Sequence, residues 1–141
     1  MEASTNAELE IRTLVARYAD AVNRYDAELW AATWSVDGVW QLGDRSVVGR
    51  DSVVDFWRNA MGSFEFALQL VYQGTIDIAG NQASGRWYLT ETLRSKESDH
   101  DRFTIGLYLD DYVKENGAWT FAKRSYRVLY SREDAPGLFS I

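Results

Sequence analysis

The chain has 141 residues with one Pro, ten Gly and no Cys, a length that suits one domain burying roughly 70% of its unfolded surface. The missing Cys excludes disulfides, thiolate metal sites and Cys nucleophiles, and a single His argues against an imidazole-built metal centre. Fifteen basic and 21 acidic residues give a net charge of −6, which disfavours a nucleic-acid partner.

The first half reads helical. Thr5 with Glu8 fits a capping box, and Ile11, Leu14, Val15, Tyr18 and Val22 follow helical spacing, so a helix is predicted from about Thr5 to Arg24. Asp26 caps a second, shorter helix carrying Leu29, Trp30 and Trp34. Asp37-Gly38 ends it, Val39 to Leu42 reads as a short strand, and Gly43-Asp44 turns the chain back toward Val47-Val48. Asp51 or Ser52 then caps a third helix bearing Val53, Val54, Trp57 and Met61.

The second half reads as strands: Phe66 to Ile78, Ala83 to Arg94, Phe103 to Val113 and Trp119 to Tyr130. Gly80-Asn81, the polar run Ser95 to Asp101, and Asn116-Gly117 separate them, the last a strong hairpin signal. From Ser131 the chain reads as a loose tail. Helices followed by an antiparallel meander make an α+β domain of residues 1–141, with the helices on one face of a curved sheet.

Several strands are apolar on both faces. Leu68, Leu70, Tyr72, Ile76 and Ile78 share one parity with Val71 opposite, while Phe103, Ile105, Leu107 and Leu109 alternate with Tyr108 and Tyr112. Helices cover only one face, so a homo-oligomer, dimer or trimer, is expected. No apolar run is long enough to span a bilayer, and Met1 to Thr5 has neither region of a signal peptide, so no membrane partner and a cytoplasmic location are expected. No glycine-rich phosphate loop and no Gly-x-Ser-x-Gly elbow is present.

Two segments carry a family resemblance: Ile11-Arg12-Thr13-Leu14-Val15-Ala16-Arg17-Tyr18 and Gly85-Arg86-Trp87-Tyr88-Leu89-Thr90-Glu91. The spacing from Gly106 through Tyr112 to Gly117, Trp119 and Phe121 adds a third. With them the chain resembles the SnoaL-like branch of the NTF2-like superfamily, and within it the bacterial bile acid 7α-dehydratases and, more distantly, the scytalone dehydratases. The resemblance implies a cone-shaped α+β barrel, its N-terminal helices packed on a strongly curved, mainly antiparallel sheet around a pocket. It also implies a site in which Tyr18 matches a functional Tyr and Glu91 matches a pocket acid. The family's Asp falls on Asn23, unless the register shifts to Asp26, and its His falls on Gln69.

Tyr18 lies on the apolar stripe of the first helix, where it is either a satisfied core Tyr or a phenol that donates to a ligand oxygen. Glu91 lies mid-strand between Leu89 and Leu93, either exposed and paired or buried with a raised pKa suited to proton transfer. Asn23 and Gln69 cannot act as bases, yet either can polarise a carbonyl, its structural alternative being a helix end or an outward strand position. Trp40, Trp57, Tyr72, Trp87 and Tyr88 are core residues or the lining of a site for a flat apolar ligand. His100, Asp110 and Asp111 read as surface groups.

The resemblance, together with Tyr18, Glu91 and the aromatic content, implies a cofactor-independent, metal-free enzyme acting on an apolar polycyclic or aromatic, steroid- or polyketide-like carbonyl compound. Its chemistry would be dehydration, isomerisation or cyclisation by proton transfer next to the carbonyl. The alternative is a silent binding module that has lost the family's His and Asp. A purely structural subunit ranks third, its mark being a cone filled by core side chains.

Overall fold

The structure, a computed structural model, describes residues 2–138. The elements run α1 (Glu2–Arg24), α2 (Ala27–Ala31), β1 (Trp34–Leu42), β2 (Arg45–Val48), α3 (Arg50–Gly62), β3 (Phe64–Val71), β4 (Thr75–Ala79), β5 (Gln82–Ser95), β6 (Asp101–Glu115) and β7 (Ala118–Asp134). They build one seven-stranded sheet in the order β2-β1-β7-β6-β5-β3, with β4 also on β5. Every pairing is antiparallel except β1 with β7, which lets the N-terminal strand close onto the last one. Register shifts at Ile105/Gly106 and Asp111/Tyr112 interrupt the long β6–β7 ladder. Such bulges bend and twist a pair of strands, here curling the sheet around the helices.

The predicted helices form, with altered ends. The α1 helix buries Ile11, Leu14, Val15, Tyr18 and Val22 as its spacing requires, but it begins before Thr5, which lies inside it. Asp26 caps α2, its Oδ1 accepting from Leu29 N at 3.0 Å. Trp34 is not helical. The Thr33 hydroxyl donates to Trp30 O at 2.6 Å as α2 ends, and Trp34 opens β1. Neither Asp51 nor Ser52 caps α3, because Gly49 holds that position without a side-chain bond.

The strand expected from Phe66 to Ile78 is two strands. Against β5, Leu68 pairs with Thr92, but Ile76 pairs with Gly85, a slip of one residue. Slipping one residue exchanges faces. Leu68, Leu70 and Tyr72 therefore point out and are exposed, while Ile76 and Ile78 pack on the core. Gly74 sits at the break: a methyl there would lie 2.4 Å from Arg86 O and 2.5 Å from the Trp87 ring. Only glycine allows that approach.

Between helices and sheet lies an aromatic core. Trp30 stacks on Trp57 at 4.5 Å, Trp40 and Trp34 flank Trp30, and Tyr18 meets Trp30, Trp34, Tyr108 and Phe121. Asn23, one turn beyond Tyr18, ties α1 to β3. Its Nδ2 donates to Gln69 O at 2.8 Å, and its Oδ1 accepts from Gln69 N at 2.6 Å. The chain read as loose from Ser131 continues in β7 to Asp134, and Gly137 is then held by Asp101 and Arg94.

Candidate active site

Glu91 faces inward from the middle of β5, with Gln69 of β3 and Thr104 of β6 as its cross-strand neighbours. Tyr126 of β7 donates to Glu91 Oε1 at 2.5 Å, and Gln69 Nε2 donates to Oε2 at 3.3 Å. Burial pushes the Glu91 carboxyl above its ordinary value, against the two hydrogen bonds that favour the charged form. Of the readings open for Glu91, the geometry is that of a half-buried carboxyl held by two hydrogen bonds.

Tyr126 reaches Glu91 across β6 because Gly106 has no side chain. A methyl on Gly106 would lie 2.8 Å from the Tyr126 ring and 3.1 Å from its hydroxyl. A glycine inside an apolar strand often marks such a close approach, and it is the one signal by which the sequence pointed to this crossing.

Gln69 is buried, with 3% of its surface exposed, and its Nε2 also donates to the Tyr108 hydroxyl at 2.9 Å. The Tyr108 ring in turn meets that of Tyr18 edge to face, the centroids 5.9 Å apart. Burial raises the Tyr18 phenol to about 12, with Arg124 opposing, so Tyr18 is a proton donor at neutral pH. Hydrogen bonds thus run in series from Tyr126 through Glu91 and Gln69 to Tyr108, whose ring packs on that of Tyr18.

A second buried network underlies the first. Arg124 of β7 donates through Nε and Nη2 to the Asp110 carboxylate at 2.8 and 3.2 Å, and neither side chain has exposed surface. Tyr112 donates to Asp110 Oδ2 at 2.6 Å, and Trp87 Nε1 donates to Tyr112 at 2.7 Å. The guanidinium lies 3.5 Å over the Tyr108 ring and 4.3 Å from that of Tyr18, which joins the networks. Asp110 was expected at the surface. Its parity on β6 is that of Tyr108 and Tyr112, so it points into the cone, where Arg124 makes a buried carboxylate tolerable.

The structure brings together Tyr18, Glu91 and Gln69 and adds Tyr108, Tyr126, Asp110 and Arg124. Asn23 adjoins them, but both its polar atoms are engaged by the β3 backbone. Asp26 is engaged as a helix cap. The aromatic residues grouped as a lining are dispersed: Trp40 and Trp57 are in the core, Trp87 holds Tyr112, and Tyr72 and Tyr88 lie exposed on the outer face of the sheet. Tyr126 forms part of the wall of a cleft of about 470 Å³, with Gln41, Leu42, Leu109, Arg127 and Val128. A smaller cleft of about 170 Å³ at the rim includes Leu93, next to Glu91 on its face, and His100, which pairs with Asp99 at 2.6 Å. No His/Cys/Asp/Glu group suited to a metal ion occurs among the described residues.

A curled sheet closed on one side by helices, with acids and phenols gathered inside, defines a cone-shaped α+β barrel of the NTF2-like class. The chain belongs to the SnoaL-like domain family, whose model matches residues 3–125. A search of curated proteins returned no match. Among solved structures, it is similar to a hexachlorocyclohexane dehydrochlorinase (LinA) Type2 at 16% identity, covering 98% of this chain and 95% of that one, with a TM-score of 0.89. The LinA-type3 dehydrochlorinase of Novosphingobium barchaimii LL02 has the same identity, covering 98% and 97%, with a TM-score of 0.88. A protein of Novosphingobium aromaticivorans DSM 12444 named as a "Putative Scytalone Dehydratase" is 21% identical, covering 94% and 91%, with a TM-score of 0.84. At these identities the likeness is one of fold.

A raised carboxyl has a sign that can be tested. A folded-state value above the unfolded one stabilises the fold at low pH, and that gain is lost as pH rises through the folded value. Glu91→Gln removes the ionised form, so its melting temperature should rise relative to wild type as pH climbs from about 4 to about 8. Thermal denaturation across that range checks it; a difference independent of pH would contradict a raised, ionisable Glu91.

Proposed function

We propose that this chain is a cofactor-independent small-molecule enzyme that moves a proton next to a carbonyl, by dehydration, isomerisation or cyclisation. The observation that carries the reading is Glu91, a half-buried carboxyl held by Tyr126 and Gln69, with Gln69 reaching Tyr108, whose ring packs on that of Tyr18. Glu91 takes the proton from the carbon beside the carbonyl. Tyr18 donates to the oxygen on which negative charge develops. The substrate proposed is an apolar polycyclic or aromatic compound of steroid or polyketide type, for which Leu42, Leu109 and Val128 of the cleft beside Tyr126 give apolar wall. Fold relatives named dehydrochlorinase and dehydratase carry the names of eliminations, which accords with removing a proton and then a leaving group.

The crowding of the helical end of the cone by Trp30, Trp34, Trp40 and Trp57 favours a structural subunit, the third reading, over a module that binds without reacting. The ionisable interior argues against both, since a filler core is at least as stable when such groups are replaced by apolar ones. No described helix is long and apolar enough to cross a membrane.

An ultraviolet-monitored assay on a panel of hydroxy-enone steroids and aromatic polyketide ketols tests the reaction. Wild type should generate new conjugation, and Tyr18→Phe and Glu91→Gln should each lose about 100-fold or more. Turnover that survives both substitutions removes those roles. Absence of turnover, with a ligand-induced rise in melting temperature, establishes the binding module instead.

The outer sheet face exposes Leu68, Leu70, Tyr72, Tyr88 and Tyr130, an apolar surface that a second or third copy would cover. Sedimentation velocity at micromolar concentration should give a dimer or trimer that Leu70→Lys dissociates. A monomeric wild type would end this part of the reading.

A further inference from the structure

Glu91 adjoins the walls of two clefts. Tyr126, which holds its Oε1, belongs to the larger, and Leu93, the next residue on its own face of β5, belongs to the smaller one at the rim. The strand registers show what the smaller cleft is. Glu91 pairs with Thr104 of β6, Leu93 pairs with Arg102, and Arg102 pairs with Glu133 of β7. Paired residues, and residues two apart on one strand, share a face. Leu93, Arg102 and Glu133 therefore lie on the inner face that carries Glu91, about 7 Å further along the strands.

At about 170 Å³ this cleft is too small for a ring system and takes a short chain. Phe64 and Leu93 give it apolar wall, and its charged groups are His100, Arg102 and Glu133. His100 is engaged by Asp99 at 2.6 Å. Arg102 approaches Glu133 only to 3.6 Å, the side chains 59% and 61% exposed, and neither side chain forms a hydrogen bond among the described residues. The neighbouring rim pair, on the outer face, is of the opposite kind. Arg94 reaches Asp101 at 2.6 and 3.1 Å, donates to Gly137 O as well, and is largely enclosed. Arg102 thus presents a planar fork of N–H donors for which the described residues supply no acceptor. Beside it, Ser95 Oγ accepts from Glu97 N at 3.3 Å and has its own hydrogen to give.

We propose that the rim cleft is an anion subsite, in which a carboxylate carried by the substrate takes the place of Glu133 on the Arg102 fork while the carbonyl end lies at Glu91. This deepens the proposed function, on which it rests, by adding an acidic chain to the apolar ring compound. A carboxylate accepts two parallel N–H bonds from a guanidinium, a geometry that Glu133 does not reach, and the Ser95 hydroxyl donates to the same group. The distance along the strands sets the chain at roughly four bonds between the acid and the carbon that loses its proton. Anchoring the acid also fixes which C–H bond meets Glu91. Glu133 neutralises Arg102 in the free protein and repels an incoming anion, so the two residues act on such a ligand with opposite sign.

Isothermal titration calorimetry of the full chain tests the subsite with 6-(2-naphthyl)-6-oxohexanoate and its uncharged primary amide. The acid should bind about fivefold or more tighter than the amide. Arg102→Gln should weaken the acid about 5- to 20-fold, and Glu133→Gln should tighten it about threefold, with the amide unmoved by either. Both side chains are largely exposed, so neither substitution endangers the fold. No binding of the acid, equal affinity for acid and amide, or an Arg102→Gln variant that weakens both alike overturns the subsite. Binding is read without turnover, so the two readings fail separately. An acid that binds with the expected pattern but gains no deuterium beside its carbonyl in deuterium oxide overturns Glu91 as the base and leaves the subsite standing.

Discussion

The interaction on which this molecule depends is the ion pair between Arg124 and Asp110, both wholly enclosed by the cone. Two charges removed from water stay tolerable only if each is hydrogen-bonded and well placed. Here the carboxylate receives two guanidinium nitrogens and the Tyr112 hydroxyl, and Trp87 supports Tyr112 in turn. The cation lies against the faces of Tyr108, Tyr18 and Phe121, where a desolvated guanidinium gains about 2 kcal/mol or more from a ring quadrupole. The pair therefore fixes β6 against β7 and fixes the rings that carry the site's hydroxyls. Arg124 pairs with Trp40 of β1 through the parallel ladder, so one residue both joins β1 to β7 and orders the interior.

From that base the site follows by short steps. Tyr108, pinned by the guanidinium, presents its hydroxyl to Gln69. Asn23 holds the Gln69 backbone, so the amide meets both Tyr108 and Glu91. Tyr126, lying over Gly106, holds the other oxygen of the carboxylate. Asn23, where the family resemblance led to an acid, has become a fastener between helix and strand. The carboxyl lies instead on β5, and neutral amides and phenols make the contacts around it. Such a site is suited to transferring a proton over a short path and to hydrogen-bonding an oxyanion, and to little that demands a second strong base.

Much of this was legible in the sequence. The apolar stripe of α1, the Asp26 cap and the Asn116-Gly117 hairpin rest on local chemistry, and each is found where its residues place it. Tyr18, Gln69 and Glu91 were picked out by resemblance, and they converge. The rest depended on register. Whether Leu68 or Gln69 faces the core is decided by the pairing of β3 with β5 and by the slip at Gly74, which the alternation of apolar residues does not encode. Asp110 looked like one of two adjacent surface acids because its partner, Arg124, lies on another strand. Tyr126 reaches Glu91 across a whole intervening strand, a contact that no spacing rule within one segment reveals.

The central claim is that Glu91 removes a proton from a carbon next to a carbonyl. Exchange of that proton with solvent isolates the step from any later loss of a leaving group. A bound ketone that lacks a leaving group, incubated with the protein in deuterium oxide, should gain deuterium at the adjacent carbon by mass spectrometry. The gain should vanish with Glu91→Gln. Equal exchange in the two proteins, or none in wild type with the ketone demonstrably bound, would contradict the account.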